Sequence, residues 1–164
     1  MRRFIFDSEA DLVALGARLG KLMHRQLVTS SRLIVLLRGP VGSGKSCFVR
    51  GCVRAAIDDA DLIVSSPTFV LLNSYESKDG AVCVHHLDLY RLGTDESQLE
   101  ILDLPLLHSS GHMMIEWPDV AGTSVLAPWK SHHLYVTIDL DPSERRLVTL
   151  SAEGEASANW LSRI

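Results

Sequence analysis

The sequence predicts an α/β domain of three layers, with a mixed, mainly parallel sheet and antiparallel hairpins. Three observations support this prediction. An apolar strand at 33–37 leads through a glycine-rich loop into a helix. Two later apolar stretches each end in a carboxylate, as strands do at the ligand-binding edge of an open α/β sheet. Near the carboxyl terminus, apolar residues alternate from 134 to 140, which is typical of a half-buried strand.

The glycine-rich loop has the spacing of a phosphate-binding motif. Residues 39–46, GPVGSGKS, match G-x-x-x-x-G-K-[ST] between a strand and a helix, the context that this motif requires. The glycines let backbone N–H groups converge on one anion, and the helix start adds a partial positive charge. Lys45 brings a charge to the β/γ-phosphates, and Ser46 offers a hydroxyl to Mg²⁺. We expect a nucleotide site in a P-loop NTPase-like domain, the alternative being a glycine turn that binds nothing.

The composition indicates a chain with its own hydrophobic core. Of 164 residues, 46% are hydrophobic, which suits one domain at 1–151 followed by a tail at 152–164 that is a weak helix or disordered. The net charge of −4 argues against general attraction to nucleic acid or an anionic membrane. We expect no membrane span and three free thiols, and therefore a cytoplasmic protein.

The amino-terminal residues predict a strand and a capped helix. Phe4 to Phe6 is a short strand, and Ser8 and Asp11 have the spacing of a capping box. Leucines then recur at helical spacing to about Met23. Glu9, at the helix start, is a candidate to contact a nucleotide from the side, although capping alone explains an acidic residue there.

The segment after the P-loop predicts a helix that ends near Asp58 and a short strand at 62–64. Pro67 keeps the residue before it extended and blocks a helix. Thr68 follows this proline and is a candidate to place a hydroxyl near the γ-phosphate and Mg²⁺. A plain connecting loop is the alternative.

Two strands, 69–75 and 81–87, are predicted to form a hairpin across a turn at 76–80. His85 and His86 are neighbours on the second strand, so they point to opposite faces of it. We expect one of them in the core and the other in solvent.

Two carboxylates follow apolar strands. Asp88 follows the second hairpin strand, and Glu116 ends the stretch from His112. Because ligands bind at the carboxyl edge of open α/β sheets, both acids are candidates for the site of the P-loop. For Asp88 the alternatives are a turn cap or a pair with Arg91. Trp117 is either a core side chain, which the pattern favours, or a lid on the nucleotide.

The last third of the chain predicts a helix starting at 94–98, which Pro105 ends or kinks. The alternating residues from Leu134 to Leu140 and the stretch around Leu147 predict a terminal hairpin.

Four motifs occur in one order: GPVGSGKS, SSPTFVLLNSY, HLDLYRL and IEWP. In this order and spacing the chain resembles the TsaE (YjeE) family of small bacterial P-loop ATPases over residues 4–140. The resemblance implies a role in forming the N6-threonylcarbamoyl group on adenosine 37 of tRNA. It also implies ATP and Mg²⁺ as ligands, partners similar to TsaB and TsaD, and only indirect contact with tRNA.

The resemblance also implies roles for single residues. Ser46, Asp88 and Glu116 would lie at the metal, and Lys45, Asp88 and Glu116 would form the ATPase centre, with Thr68 in a mobile loop and Trp117 close by. The residues implied around the phosphates are Gly39, Pro40, Val41, Gly42, Ser43, Gly44, Lys45, Ser46 and Cys47.

Three residues depart from the family pattern. Pro40 stands where an acidic residue is common, Cys47 replaces a second hydroxyl residue, and Asp103 falls where glycine is usual. We expect weaker phosphate or metal contacts at Cys47 and altered partner contacts at Asp103. The predicted function is slow, partner-dependent ATP hydrolysis. The alternatives are a nucleotide-gated binding module with negligible hydrolysis and a small P-loop kinase.

Overall fold

One sheet organises the part of the chain that the structure describes. The structure is a computed structural model that describes residues 1–25, 32–92, 102–121, 126 and 132–164. Within these residues seven strands pair in the order β1-β7-β6-β2-β5-β4-β3. Their bounds are β1 Arg2–Phe6, β2 Ile34–Arg38, β3 Leu72–Glu76, β4 Cys83–Asp88, β5 His112–Glu116, β6 His133–Leu140 and β7 Arg146–Glu153.

The centre of the sheet is parallel and its edges are antiparallel. Strand β2 pairs in parallel with β5 and β6, and β5 pairs in parallel with β4. The antiparallel pairs are β1–β7, β3–β4 and β6–β7. The predicted mixed sheet and both predicted hairpins are therefore confirmed.

Helices cover the two faces of this sheet, so the three-layer prediction is confirmed. The helices are α1 Glu9–Arg25, α2 Lys45–Ile57, α3 Leu104–Ser110 and α4 Glu155–Arg163, with a 3-10 helix at Pro118–Ala121. Alternate residues of the central strands point to opposite faces. One core packs β2 against α1, α2 and α4, and the other packs it against α3 and the 3-10 helix. In the described residues no helix is long and apolar enough to cross a membrane, and Cys47, Cys52 and Cys83 are free thiols.

The predicted capping box begins α1. The Ser8 hydroxyl donates to Asp11 Oδ2 at 2.7 Å, and the Ser8 N–H donates to the same oxygen at 3.2 Å. The Asp11 N–H donates to Ser8 Oγ at 3.3 Å. These bonds satisfy backbone N–H groups that a helix start leaves without partners.

Helices α1 and α2 pack unusually closely because glycines form their contact. A Cβ on Gly16 would lie 2.1 Å from the Phe48 carbonyl oxygen, and one on Gly20 would lie 2.1 Å from the Cys52 carbonyl oxygen. Any larger side chain would force the two backbones apart. This contact sets the distance between the start of α1 and the P-loop helix.

One expected strand is absent, and another begins later than expected. Residues 62–64 form no strand; the Leu62 carbonyl accepts instead from Arg54 Nε at 2.9 Å. The strand expected from Phe69 begins at Leu72, because the N–H groups of Val70 and Leu71 close a turn on the Pro67 carbonyl.

Pro105 begins a helix where the sequence predicted it to end or kink one. It lies in the first turn of α3, where a missing N–H costs no hydrogen bond. Asp103 is the N-cap of this helix and accepts from the Leu106 N–H at 3.0 Å. The helix expected to start at 94–98 lies outside the described residues.

Of the two alternatives for the carboxyl-terminal tail, a weak helix or a disordered end, the structure shows a helix. Trp160 of α4 is 2% exposed and belongs to the core shared with α1 and α2. Its ring meets His112 edge-on, with the centroids 5.5 Å apart. This helix therefore packs on the domain.

Replacing Gly16 by alanine should destabilise the protein by about 2 kcal/mol or more, because the new Cβ overlaps the Phe48 carbonyl. Intrinsic helix propensity alone has the opposite sign and would stabilise by about 1 kcal/mol. Urea unfolding measures the difference. The exposed Ala14→Gly on the same helix is the control and should cost only about 1 kcal/mol. A Gly16→Ala variant as stable as wild type would contradict the close packing.

Candidate nucleotide site at the carboxyl edge of the sheet

The loop between β2 and α2 has the conformation that a phosphate-binding loop needs. Gly39, Gly42 and Gly44 have φ angles of 138°, 80° and 103°, which favour glycine. The Ser43 N–H donates to the Pro40 carbonyl at 3.2 Å and tightens the turn. Helix α2 starts at Lys45, and no side chain caps it at Gly44. Its first backbone N–H groups are thus available to an anion.

Lys45 is buried inside this loop. Its Nζ donates to the carbonyl oxygens of Gly39 and Pro40, each at 2.9 Å, and lies 4.0 Å from the centroid of the Trp117 ring. Burial lowers the pKa of Lys45, while the charges of Glu116 and Asp88 act in the opposite direction. The ammonium group is therefore held by the two loop carbonyls, and the nearby acids favour its charged form.

Glu116 joins the end of β5 to the start of α2. The Ser46 hydroxyl donates to Glu116 Oε1 at 2.9 Å, and His86 Nε2 lies 2.9 Å from the same oxygen. Glu116 is 2% exposed. A buried carboxylate is costly unless it is paired or hydrogen-bonded, and both neighbours meet that need.

Asp88 lies directly opposite Glu116 in the parallel β4–β5 pair. Its Oδ2 accepts from the hydroxyls of Ser66, at 3.2 Å, and Thr68, and its Oδ1 accepts from the Tyr90 N–H at 3.0 Å. The turn-cap alternative is thus true as well, because the side chain faces the site and also caps the turn to Tyr90.

Aromatic rings form one wall of the site. Trp117 follows Glu116 with a φ of 59°, a conformation that non-glycine residues rarely adopt. Its ring packs on Tyr90, with the centroids 4.9 Å apart, and is partly buried against the core around α3. Neither alternative for Trp117 is complete, since the ring touches both core and cavity. Arg91 does not pair with Asp88; its guanidinium lies 4.2 Å from the Phe69 ring centroid.

A small polar cluster closes the α1 side of the loop. Cys47 Sγ lies 3.5 Å from Glu9 Oε2, and Arg146 lies 3.7 Å from Glu9 Oε1. Burial raises the pKa of the Cys47 thiol, and the Glu9 charge and hydrogen bond raise it further. Glu9 therefore contacts the residue that follows Ser46.

These side chains surround a cavity of about 320 Å³. It brings together eleven of the residues predicted from the sequence, whereas Gly39, Pro40 and Ser43 shape the loop without lining the cavity. The lining residues are Glu9, Val41, Gly42, Gly44, Lys45, Ser46, Cys47, Ser66, Thr68, Asp88, Tyr90, Glu116 and Trp117.

Four residues at the site were missed or misjudged in the sequence. Ser66 lies two residues before Thr68, and Tyr90 lies two residues after Asp88. This closeness in sequence to predicted site residues could have indicated that they line the same cavity. Of His85 and His86, one was expected in the core and the other in solvent. Both are buried. Arg146 reaches the site from β7, and nothing near it in sequence indicated this.

The donor set suits a phosphate-bound cation better than a metal held by protein alone. Within the described ranges, no group of three or more His, Cys, Asp or Glu side chains could enclose an ion. The cavity is instead lined by the hydroxyls of Ser46, Ser66 and Thr68, the carboxylates of Glu9, Asp88 and Glu116, the Lys45 ammonium and the start of α2. Such a set can bind a polyphosphate and share a hard cation with it.

The fold and this arrangement define an α/β domain of the P-loop type: strand, glycine loop and helix beside two acids at neighbouring strand ends. The family model described as "Threonylcarbamoyl adenosine biosynthesis protein TsaE" matches residues 6–148. The chain belongs to the TsaE family, which confirms the resemblance inferred from the motifs.

Individual relatives agree with the family model. A Mycobacterium tuberculosis protein is 30% identical over 148 residues, covering 86% of this chain and 81% of its own length. An Aquifex aeolicus protein is 30% identical over 119 residues, covering 73% and 78%. Both are named tRNA threonylcarbamoyladenosine biosynthesis protein TsaE. The crystal structure of Bacillus subtilis YdiB superposes with a TM-score of 0.68 at 21% identity, covering 98% of this chain and 91% of YdiB, and shows the same fold.

Replacing Glu9 by glutamine should speed alkylation of Cys47. The carboxylate raises the pKa of the thiol, so its removal increases the thiolate fraction at a given pH. Peptide-level mass spectrometry after iodoacetamide treatment at pH 8 measures the rate. Cys83 is the internal control, because its raised pKa depends on burial and Glu76 and should not respond. An unchanged Cys47 rate would show that Glu9 does not hold the thiol.

Proposed function

We propose that this protein binds Mg-ATP in the cavity at the P-loop, hydrolyses it to ADP and phosphate, and acts in tRNA threonylcarbamoyladenosine biosynthesis. The observation that carries the proposal is the Ser46–Glu116 hydrogen bond. It places a P-loop hydroxyl beside the acid at the end of the neighbouring strand, next to Lys45 and Asp88.

The residues fit a magnesium ion shared with phosphates. Mg²⁺ prefers oxygen ligands and keeps several waters, so one or two protein carboxylates and a hydroxyl suffice. Ser46 and Glu116 would hold it, with Asp88 organising water and metal from the facing strand. When bound, the ion neutralises charge on the phosphate oxygens.

The chain's own groups supply the rest of the electrostatic stabilisation. The N–H groups at the start of α2 bind phosphate oxygens, and Lys45 adds a full positive charge. Trp117 covers the ammonium group of Lys45 on one side and limits its contact with water. Asp88 is held at both oxygens by Ser66, Thr68 and Tyr90, so it keeps one orientation toward the cavity.

The role in tRNA modification rests on family membership. The family's description and the names of the relatives specify threonylcarbamoyladenosine biosynthesis. We extend this to a TsaB-like and TsaD-like pair as the partners, with tRNA contacted indirectly through them. The acidic net charge of −4 agrees with an indirect role.

Replacing Lys45 by alanine should lower ATP turnover by about 100-fold or more, because preorganised charge at the phosphates is lost. Phosphate release from the purified protein measures this. The exposed Lys78, in the turn between β3 and β4, provides the control: Lys78→Ala should turn over at the wild-type rate. Equal rates for wild type and Lys45→Ala would refute hydrolysis at this site.

The same pair of variants tests the cellular role. In a strain depleted of the protein, wild type and Lys78→Ala should restore N6-threonylcarbamoyladenosine in tRNA, and Lys45→Ala should not. Nucleoside analysis by mass spectrometry gives the readout. Normal modified adenosine in the depleted strain would count against any role in this pathway.

A nucleotide-gated module with negligible turnover is the second candidate, and Cys47 favours it. Its thiol lies 3.5 Å from Glu9 Oε2, and Cys47 stands where the resemblance implies a second hydroxyl residue. The described arginine that pairs with Glu9, Arg146, is not among the residues that line the cavity, and no arginine of the described residues contributes positive charge to the lining.

Phosphate release with and without the TsaB–TsaD pair separates the two candidates. An ATPase that a partner completes should be stimulated about tenfold or more. A gated module should bind ATP and release no phosphate above the Lys45→Ala background, even with saturating partners. Equal and substantial rates in both conditions would show that the enzyme needs no partner.

A further inference from the structure

Two adjacent buried histidines on β4 have opposite kinds of surroundings. His85 is 5% exposed and satisfies both ring nitrogens: Nδ1 lies 2.8 Å from Ser74 Oγ, and Nε2 lies 2.9 Å from Ser110 Oγ. It links β4 to β3 and to the end of α3. This is how a structural histidine is normally accommodated in a core.

His86 is more deeply buried and only half satisfied. It is fully shielded from solvent, and its Nε2 lies 2.9 Å from Glu116 Oε1. Among the described residues, Nδ1 has no hydrogen-bond partner. Burying an acceptor without a partner is unfavourable, and an apolar side chain would avoid that cost. The hydrogen bond to Glu116 is therefore the interaction that explains a histidine here.

The direction of this bond follows from the acid. Glu116 Oε1 also accepts the Ser46 hydroxyl, and a carboxylate oxygen can only accept. His86 Nε2 therefore carries the hydrogen and donates. Position 86 shares its strand face with Asp88, which lies opposite Glu116 in the β4–β5 pair. The imidazole thus supports the Glu116 carboxylate from the neighbouring strand.

We propose that His86 is a positioning residue that holds the Glu116 carboxylate in the orientation at which Glu116 and Ser46 bind a divalent cation beside the nucleotide phosphates. The inference rests on the proposed function and deepens it. A fixed donor behind a ligating carboxylate removes its freedom to rotate, which strengthens metal binding without touching the metal.

Two amide variants separate positioning from simple core packing. The side-chain nitrogen of glutamine is separated from Cα by the same number of bonds as His Nε2, so His86→Gln can still donate to Glu116. The amide of asparagine is one bond shorter and reaches only as far as Nδ1. His85→Gln is the matched control, since it alters the adjacent buried histidine on the other face.

Isothermal titration calorimetry of ATP with Mg²⁺ and with EDTA gives a readout independent of turnover. We expect Mg²⁺ to tighten ATP binding by wild type, and His86→Asn to reduce that tightening about tenfold or more. The affinity in EDTA should stay unchanged, because the loop and Lys45 are intact. His86→Gln and His85→Gln should keep the Mg²⁺ effect within about threefold of wild type, well below that loss.

The possible failures are distinguishable. A wild type that binds ATP equally with Mg²⁺ and EDTA overturns the proposed magnesium site and this inference together. A Mg²⁺ effect in wild type that persists in His86→Asn overturns the inference alone. Circular dichroism shows whether His86→Asn folds. If it does not, His86→Gln decides, because its amide can still reach Glu116. Loss of the Mg²⁺ effect in folded His86→Gln contradicts the positioning role, and retention of the Mg²⁺ effect supports that role.

Discussion

The hydrogen bond from Ser46 to Glu116 joins the two parts from which the site is built. Ser46 belongs to the first turn of α2, and Glu116 ends β5. Strands β2 and β5 are parallel neighbours with Leu37 paired to Glu116, so the P-loop leaves the sheet beside this acid. Because Glu116 is buried, its position depends on the sheet register and on the donors around it. The other groups of the cavity are arranged around this contact.

The packing of α1 on α2 has a second effect on the site. Gly16 and Gly20 bring the helix backbones to a distance that no larger residue permits. The start of α1 thereby lies next to the P-loop helix, where Glu9 meets Cys47 and Arg146. A feature that looks like core packing therefore also determines the polar side of the cavity.

The two histidines of β4 show why a polar residue in a core needs individual explanation. His85 and His86 follow one another and are both buried. His85 has partners at both ring nitrogens and links β4 to β3 and α3. Among the described residues, the hydrogen-bond partner of His86 is Glu116. Composition and periodicity treat them alike. The difference depends on which strands flank β4, and this is a property of the sheet order.

The sequence by itself determined the strand–loop–helix unit, the capping box, both hairpins and the acids at 88 and 116, because each depends on residues close together in the chain. It misjudged 62–64, Phe69 and Pro105, since an extended or proline-containing segment looks similar whether it pairs, turns or starts a helix. Only the tertiary structure decided that Trp160 enters the core, that Arg146 reaches Glu9 and that His86 donates to Glu116. These contacts join residues far apart in sequence, and the order and register of the sheet bring them together.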